Sequence, residues 1–314
     1  MTATTYREAR YGPERMGSTG SGGTGSGGTD SDVAAAVRAA VGDGAVAITG
    51  AGGTIGTALS VTFGALGLPL VLSDYDDMGL AVTGAQAMSA GAPEVRTVQG
   101  DAADPDVAAT MVDACEDLGG PAVAILNAGI CVPGLTWEQP LELWQRQVEV
   151  DYWGPVHGVR AMVPAMLERG AGHVFAVSSG AGLVAPPGMG AYVSSKHAVV
   201  GLMESLHHEL ARLGSPVRAS VVCPGNVFTN IADNSLLSLN IDPEDFELEG
   251  VAAQVDAASR AGVDAGAPAQ TVADAVVEAV LDGRFWVLPQ PELALGALDR
   301  YQRLAEGSPP VDLL

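Results

Sequence analysis

Ala45-Val-Ala-Ile-Thr49-Gly-Ala-Gly-Gly-Thr-Ile-Gly56 is the stretch on which the fold turns. Ala45 to Thr49 is a short apolar run flanked by glycine, which reads as a buried parallel strand. A glycine-rich turn follows, and then a helical pattern through Phe63 and Leu66. Glycines after a strand and before a helix let the backbone approach a pyrophosphate at the helix N-terminus. Gly50, Gly53, Thr54, Ile55 and Gly56 are therefore candidate cofactor contacts; a glycine-rich turn with no ligand is the bland alternative.

Five more strands read outward from this one. Pro69–Ser73 runs into Asp74-Tyr-Asp-Asp77. An acidic residue roughly 20 positions beyond the glycines suits a ribose 2′-hydroxyl and repels a 2′-phosphate, so Asp74 favours NAD(H) over NADP(H). Asp76 or Asp77 would also cap the next helix. Residues 94–99 form a third strand, followed by Asp101 and Ala102, where Asp101 is placed to accept from an adenine amino group. Asp104-Pro-Asp106 starts a helix with proline in its first turn. Residues 122–126 form a fourth strand, after which Asn127, Ala128 and Gly129 let a cofactor lie close. Residues 140–169 read as one long helical region that Pro155 and Pro164 should bend or interrupt. Residues 173–178 and 216–222 are the fifth and sixth strands, leading to Ser179 and to Pro224-Gly225. Six strands alternating with helices specify a Rossmann-like, doubly wound parallel sheet in one α/β domain, with ligands at the carboxyl ends of the strands.

Tyr192-Val-Ser-Ser-Lys196 opens a helix to about Leu213. Residues four apart share a helix face, so a lysine cation there should favour a tyrosinate and lower the phenol pKa from its usual value near ~10. Tyr192 is thus a candidate general acid/base, and Lys196 can also hold sugar hydroxyls.

This ordered set resembles the short-chain dehydrogenase/reductase family, in its compact single-domain branch, over about residues 45–300. The resemblance implies the sheet order 3-2-1-4-5-6-7, with residues 285–288 as the seventh strand. It implies that Tyr192 exchanges a proton with the substrate oxygen, that Ser179 polarises that oxygen, and that Lys196 binds the nicotinamide ribose. Asn127 would lie near the adenosine ribose, while Thr229, with Val227 in the same segment, would face the nicotinamide carboxamide or the phosphates. A homodimer or homotetramer is implied, paired through the two long helices. Two departures stand out. Thr54 occupies the family's middle glycine position, giving the glycine spacing of its longer, epimerase-like branch. Asp151 replaces the asparagine of the family's Asn-Ser-Tyr-Lys set, adding a competing charge near Lys196.

The expected reaction is NAD(H)-dependent interconversion of a secondary alcohol and a ketone. Residues 226–263 are the expected lid, carrying Phe228, Ile231, Leu236, Leu237, Leu239 and Ile241 beside five acidic residues between 242 and 249. Leu183, Val184, Pro186, Pro187 and Met189 should line the other wall, with Trp286 closing the pocket of its own or a neighbouring subunit. An apolar pocket suits a bulky hydrophobic substrate, and the acidic residues disfavour an anionic one. The alternatives are an NAD-binding scaffold or sensor, and an epimerase or dehydratase that recycles its NAD.

Bulk composition agrees with one soluble enzyme. The 314 residues are 47% hydrophobic, with a net charge of −22, which disfavours nucleic acid and anionic membranes as partners. Cys115, Cys131 and Cys223 have no metal-ligand spacing, so no metal is expected. They suit a reducing, cytoplasmic setting. Residues 1–31, rich in Gly, Ser and Thr, read as a flexible tail ahead of a domain over 32–314.

Overall fold

A computed structural model describes residues 30–311 of the chain. The expected tail lies outside the described residues except at its end, where helix α1 (Asp30–Val41) already begins. Seven parallel strands follow: β1 (Ala45–Thr49), β2 (Leu70–Asp74), β3 (Val95–Gln99), β4 (Pro121–Leu126), β5 (His173–Val177), β6 (Arg218–Val222) and β7 (Trp286–Val287). Their order is β3-β2-β1-β4-β5-β6-β7. The chain reverses its direction of travel between β1 and β4, which pair from Ala45↔Pro121 to Thr49↔Leu126. That switch point opens a crevice at the carboxyl ends, where ligands bind in such sheets.

Both sheet faces are covered. On one, α1, α2 (Thr54–Ala65), α3 (Asp77–Ala90) and α10 (Gln270–Asp282) bury Val37, Phe63, Leu80 and Val276 against Ile48, Leu72 and Ile125. On the other, α4 (Pro105–Glu116), α6 (Gly154–Arg169) and α7 (Gly190–Arg212) bury Met111, Met162, Met166 and Met203 against Val71, Ala124 and Val174. Burying each such side chain contributes roughly 1.5–3 kcal/mol. A strand packed on both sides reads as a near-continuous apolar run, as the fully buried β4 does. β5 is apolar after His173, whose buried ring bonds the Ser220 hydroxyl through Nε2 at 2.6 Å. Asp76 caps α3 by accepting from the Met78 N–H, and Asp104 caps α4 by accepting from the Asp106 N–H.

The helical region 140–169 departs from expectation. It consists of α5 (Leu141–Val148), one π-helical turn (Glu149–Trp153) and α6. The chain stays helical through both prolines. Pro155 follows directly on the π turn, where its missing N–H removes the α-type bond to the Asp151 carbonyl, and Pro164 lies inside α6. The π turn inserts an extra residue into the helical register and turns Asp151 fully inward, at 0% exposure.

Helices α8 (Ile231–Ser238) and α9 (Gly250–Asp264) form a cover over the strand ends, and α11 (Leu293–Glu306) closes the C-terminal side. No helix among the described residues is long and apolar enough to cross a membrane.

Candidate active site

A continuous cavity of about 1110 Å³ runs along the carboxyl edge of the sheet. Its first section is built by the glycine turn. Gly50 has φ 64°, a conformation that glycine tolerates and L side chains rarely adopt. Gly56 stands so close to the Gly50 carbonyl that a Cβ would overlap it. Helix α2 starts at Thr54 with Gly53 as its N-cap, and no side chain caps it. Its first N–H groups therefore lack intrahelical partners beside the cavity, the arrangement that binds a phosphate. Thr54 is exposed at this helix start, while Ile55 is half-buried. The cradle thus fits a dinucleotide pyrophosphate.

Asp74 is the last residue of β2. Its Oδ2 accepts from the Gly52 N–H at 2.8 Å and its Oδ1 from the Asp76 N–H at 2.9 Å. The carboxylate therefore orders the glycine turn while keeping acceptor capacity toward the cavity. Burial pushes its pKa above the ordinary carboxylate value, against the pull of those N–H donors.

Asn127 lies on the cavity wall, with its side-chain amide donating to the carbonyls of Thr49 and Gly50 at 3.1 and 3.0 Å. It pins β4 to the glycine turn. Asp101 and Ala102 also line the cavity. The Asp101 carboxylate already pairs with Arg146 at 2.5 Å and accepts from the Ala103 N–H at 2.9 Å. Arg146 itself is a wall residue that sequence reading passed over; only the fold shows that α5 delivers it to Asp101.

Ser179, Tyr192 and Lys196 meet in the middle of the cavity, with Ala128, Gly129, Pro224, Gly225, Val227 and Thr229 on its walls. Ser179 follows β5, its hydroxyl accepts from the Ala181 N–H at 3.1 Å, and it acts on Tyr192 in the direction that lowers the phenol pKa. The Lys196 ammonium sits 5.4 Å from the Tyr192 ring centroid and donates to the Val177 carbonyl at 3.3 Å. The expected fall in the phenol pKa is overturned: it is pushed upward, first by burial, then by Cys131 and Asp151, with Ser179 pulling the other way. Desolvation disfavours the tyrosinate, and the ammonium is shared with a second anion. Asp151, alone among the expected site residues, does not reach the cavity wall. It lies behind it, with Oδ1 3.9 Å from the Lys196 Nζ.

The substrate section has three walls. Val184, Pro186, Pro187 and Met189 line one; Leu183 instead packs into the core behind them. The cover contributes Ile231, Leu237, Val255 and Val263, together with Asn234 and Ser259. Phe228, Leu236, Leu239 and Ile241 do not line it, since Leu236 is buried in the interior and Phe228 faces out. The acidic residues 242–249 are exposed on the loop between α8 and α9, away from the cavity wall, so they do not select against an anion there. Trp286 is 42% exposed and packs edge-on against Phe285, so it does not close this chain's cavity. Leu293 of α11 forms the third wall, beside Gly180 and Gly225. Gln290 holds the loop it faces, accepting from the Gly225 N–H at 2.9 Å and donating to the Asn226 carbonyl at 3.1 Å.

The buried Ser235 ties the cover to the catalytic centre. Its hydroxyl accepts from the Cys131 N–H at 2.8 Å and donates to the Ile231 carbonyl at 2.5 Å. Ser235→Ala strands that N–H, at a cost of about 1–3 kcal/mol. A thermal melt should show a midpoint lower by several degrees.

The family model for short chain dehydrogenase matches residues 44–238. A 1-deoxy-11-beta-hydroxypentalenate dehydrogenase of Streptomyces exfoliatus is 33% identical over 82% of this chain and 86% of its own length. A CLA biosynthesis dehydrogenase/reductase of Lactiplantibacillus plantarum is 30% identical over 85% of this chain and 95% of its own. Among solved structures, a short chain dehydrogenase/reductase from Burkholderia phymatum in complex with NAD is similar, with TM-score 0.79 and 33% identity, covering 87% of this chain and 98% of that one.

Proposed function

Because this chain belongs to the short-chain dehydrogenase/reductase family and is an NAD(P)-dependent oxidoreductase acting on CH–OH groups, we propose that it interconverts a bulky, neutral secondary alcohol and its ketone with NAD(H). One observation carries the reading. Ser179, Tyr192 and Lys196 share a continuous cavity with the glycine turn at one end and an apolar, three-walled chamber at the other.

A bound nicotinamide cofactor supplies the hydride acceptor or donor. The first N–H groups of α2 would hold its phosphates, and Lys196 would donate to its ribose hydroxyls. Asp74 would accept from the other ribose and repel a 2′-phosphate. Tyr192 gives its phenolic proton to the substrate oxygen in reduction and takes it back in oxidation. Ser179 donates to the same oxygen as charge develops. The neutral preference rests on the lining: no lysine, arginine or histidine lines the substrate section. Against it stands the Streptomyces relative, named for a hydroxypentalenate, so preferential turnover of a carboxylate-bearing alcohol would overturn the neutral preference. Family membership and enzyme class displace the scaffold reading. The exposed Leu141 and Trp153 in the 140–169 region support pairing into a homodimer or homotetramer, and three free cysteines fit a cytoplasmic setting.

Titration with NADH and with NADPH, followed by nicotinamide fluorescence, tests the cofactor. A panel of bicyclic secondary alcohols such as isoborneol, with the matching ketones, then tests the reaction. Tighter NADPH binding would overturn the Asp74 assignment, and NAD that stays bound throughout turnover would favour the epimerase alternative. Asp74→Ser should narrow the ratio of NADH to NADPH affinity by at least about tenfold, or ~1.4 kcal/mol.

A further inference from the structure

We propose that Asp151 is a positioning residue whose carboxylate charge, set beside Lys196 by the π turn, offsets the ammonium and keeps Tyr192 in its proton-donating form to higher pH than an uncharged amide would. The inference rests on the Tyr192 reading above.

The geometry separates the charge of Asp151 from its hydrogen bond. Oδ1 accepts from the Ile130 N–H at 2.8 Å, a bond that an amide oxygen makes equally well. Oδ2 is buried with no hydrogen-bond partner. A buried carboxylate with an empty oxygen is costly, so local packing does not explain a carboxylate here. Its remaining relation is to Lys196, 3.9 Å away and itself buried. Gly129 makes the approach possible, because a Cβ there would stand 3.0 Å from Lys196 Nζ and 3.1 Å from Asp151 Oδ1.

The surroundings leave Lys196 as the balancing charge. Helix α7 presents Lys196 and Tyr192, and the segment after β4 presents Cys131. Its thiol is pushed up to about 12, first by burial and then by Asp151, with Asp256 of α9 adding to it. The thiol therefore bears no charge across the neutral range and adds to the rise at Tyr192 only where it ionises. On α5, Arg146 is held by Asp101 and Glu149. On α6, His157 stacks on Trp153. Burial pushes the Asp151 carboxyl up to about 6, with Lys196 and the Ile130 N–H pulling it down. Above that pH the group is an anion, so it bears a charge wherever Tyr192 approaches ionisation, and it acts on the phenol in the raising direction. The site's working range moves toward higher pH: tyrosinate, needed for oxidation, forms later, and the phenol, needed for reduction, persists longer.

The test compares the full chain with Asp151→Asn, using protein labelled with ¹³C at the tyrosine Cζ. The Tyr192 resonance is identified by its loss in Tyr192→Phe. The Tyr192 midpoint should fall by about one pH unit or more in Asp151→Asn. The limb of kcat/KM for isoborneol oxidation should move acidward with it, giving about a tenfold gain at a fixed pH on that limb. Asp151→Glu, which restores a charge, should move both back. Asp151→Ser, which keeps an acceptor without a charge, repeats the measurement if the asparagine variant unfolds. An unchanged Tyr192 midpoint overturns the proposal. Turnover retained in Tyr192→Phe overturns the underlying mechanism instead, and the two failures are read separately.

Discussion

Tyr192→Phe lowers kcat by roughly 10²–10⁴-fold, the span that a positioned general acid/base supplies, while NADH affinity and thermal midpoint stay close to wild type. The change deletes one oxygen. The ring keeps its place on α7 over the Lys196 stem, and Ser179 keeps its backbone-side bond, in which its hydroxyl accepts from the Ala181 N–H at 3.1 Å. What would disappear, on the proposed mechanism, is the proton that moves to the substrate oxygen. Stopped-flow hydride transfer with isoborneol, alongside NADH fluorescence titration, separates the two outcomes. Equal loss in binding and turnover would point to a collapsed pocket; retained turnover would remove Tyr192 from the mechanism. The rise in its phenol pKa adds a direction. Oxidation accelerates as pH climbs toward the tyrosinate, and reduction holds across the neutral range.

Gly56→Ala is expected to weaken NADH binding by on the order of 100-fold, about 3 kcal/mol, and to lower stability by ~1–3 kcal/mol. The added methyl would overlap the Gly50 carbonyl and lie 2.6 Å from the Ala51 Cα. Both are backbone, so no side-chain rotation relieves the contact. The turn must open, carrying the N–H groups of α2 away from the phosphates. By contrast, Gly53 has only the Gly50 carbonyl within 4 Å of a would-be Cβ, at 3.5 Å. Gly53→Ala is thus the internal control, expected to spare the fold. Calorimetry and NADH titration on the pair decide whether the tight packing of Gly56, rather than glycine content, makes the cradle.

Much of this architecture could be read before any coordinates. Largely apolar runs such as Ala45–Thr49 and Pro121–Leu126 marked the strands, because strands covered on both faces leave no room for polar alternation. Strand ends moved by a residue or two: the second strand runs one residue further and takes in Asp74. Within residues 140–169 the irregularity falls just before Pro155, as a π turn rather than a break, while the helix runs on through Pro164. Trp286 does not close its own chain's pocket, because β7 is an edge strand and turns the ring outward, toward where a neighbouring subunit would have to stand.

The succession of strands and helices, the glycine turn and the Tyr192–Lys196 spacing are properties of local pattern. They are written within a few residues of each other, so the sequence by itself determined them. The order of strands across the sheet came from the family resemblance and joins residues far apart, such as Ala45 and Pro121. Pairings between residues far apart in the chain needed the tertiary structure. Arg146 reaches Asp101 from 45 residues away, Ser235 reaches Cys131 from 104, and Leu293 closes a wall built otherwise from the middle of the chain. The sign of the Tyr192 shift belongs with them. A lysine one turn along the helix is legible as a positive charge, but the loss of water around the phenol and the arrival of Asp151 behind Lys196 come only from packing. In a buried site, those two effects outweigh the neighbour that the sequence shows.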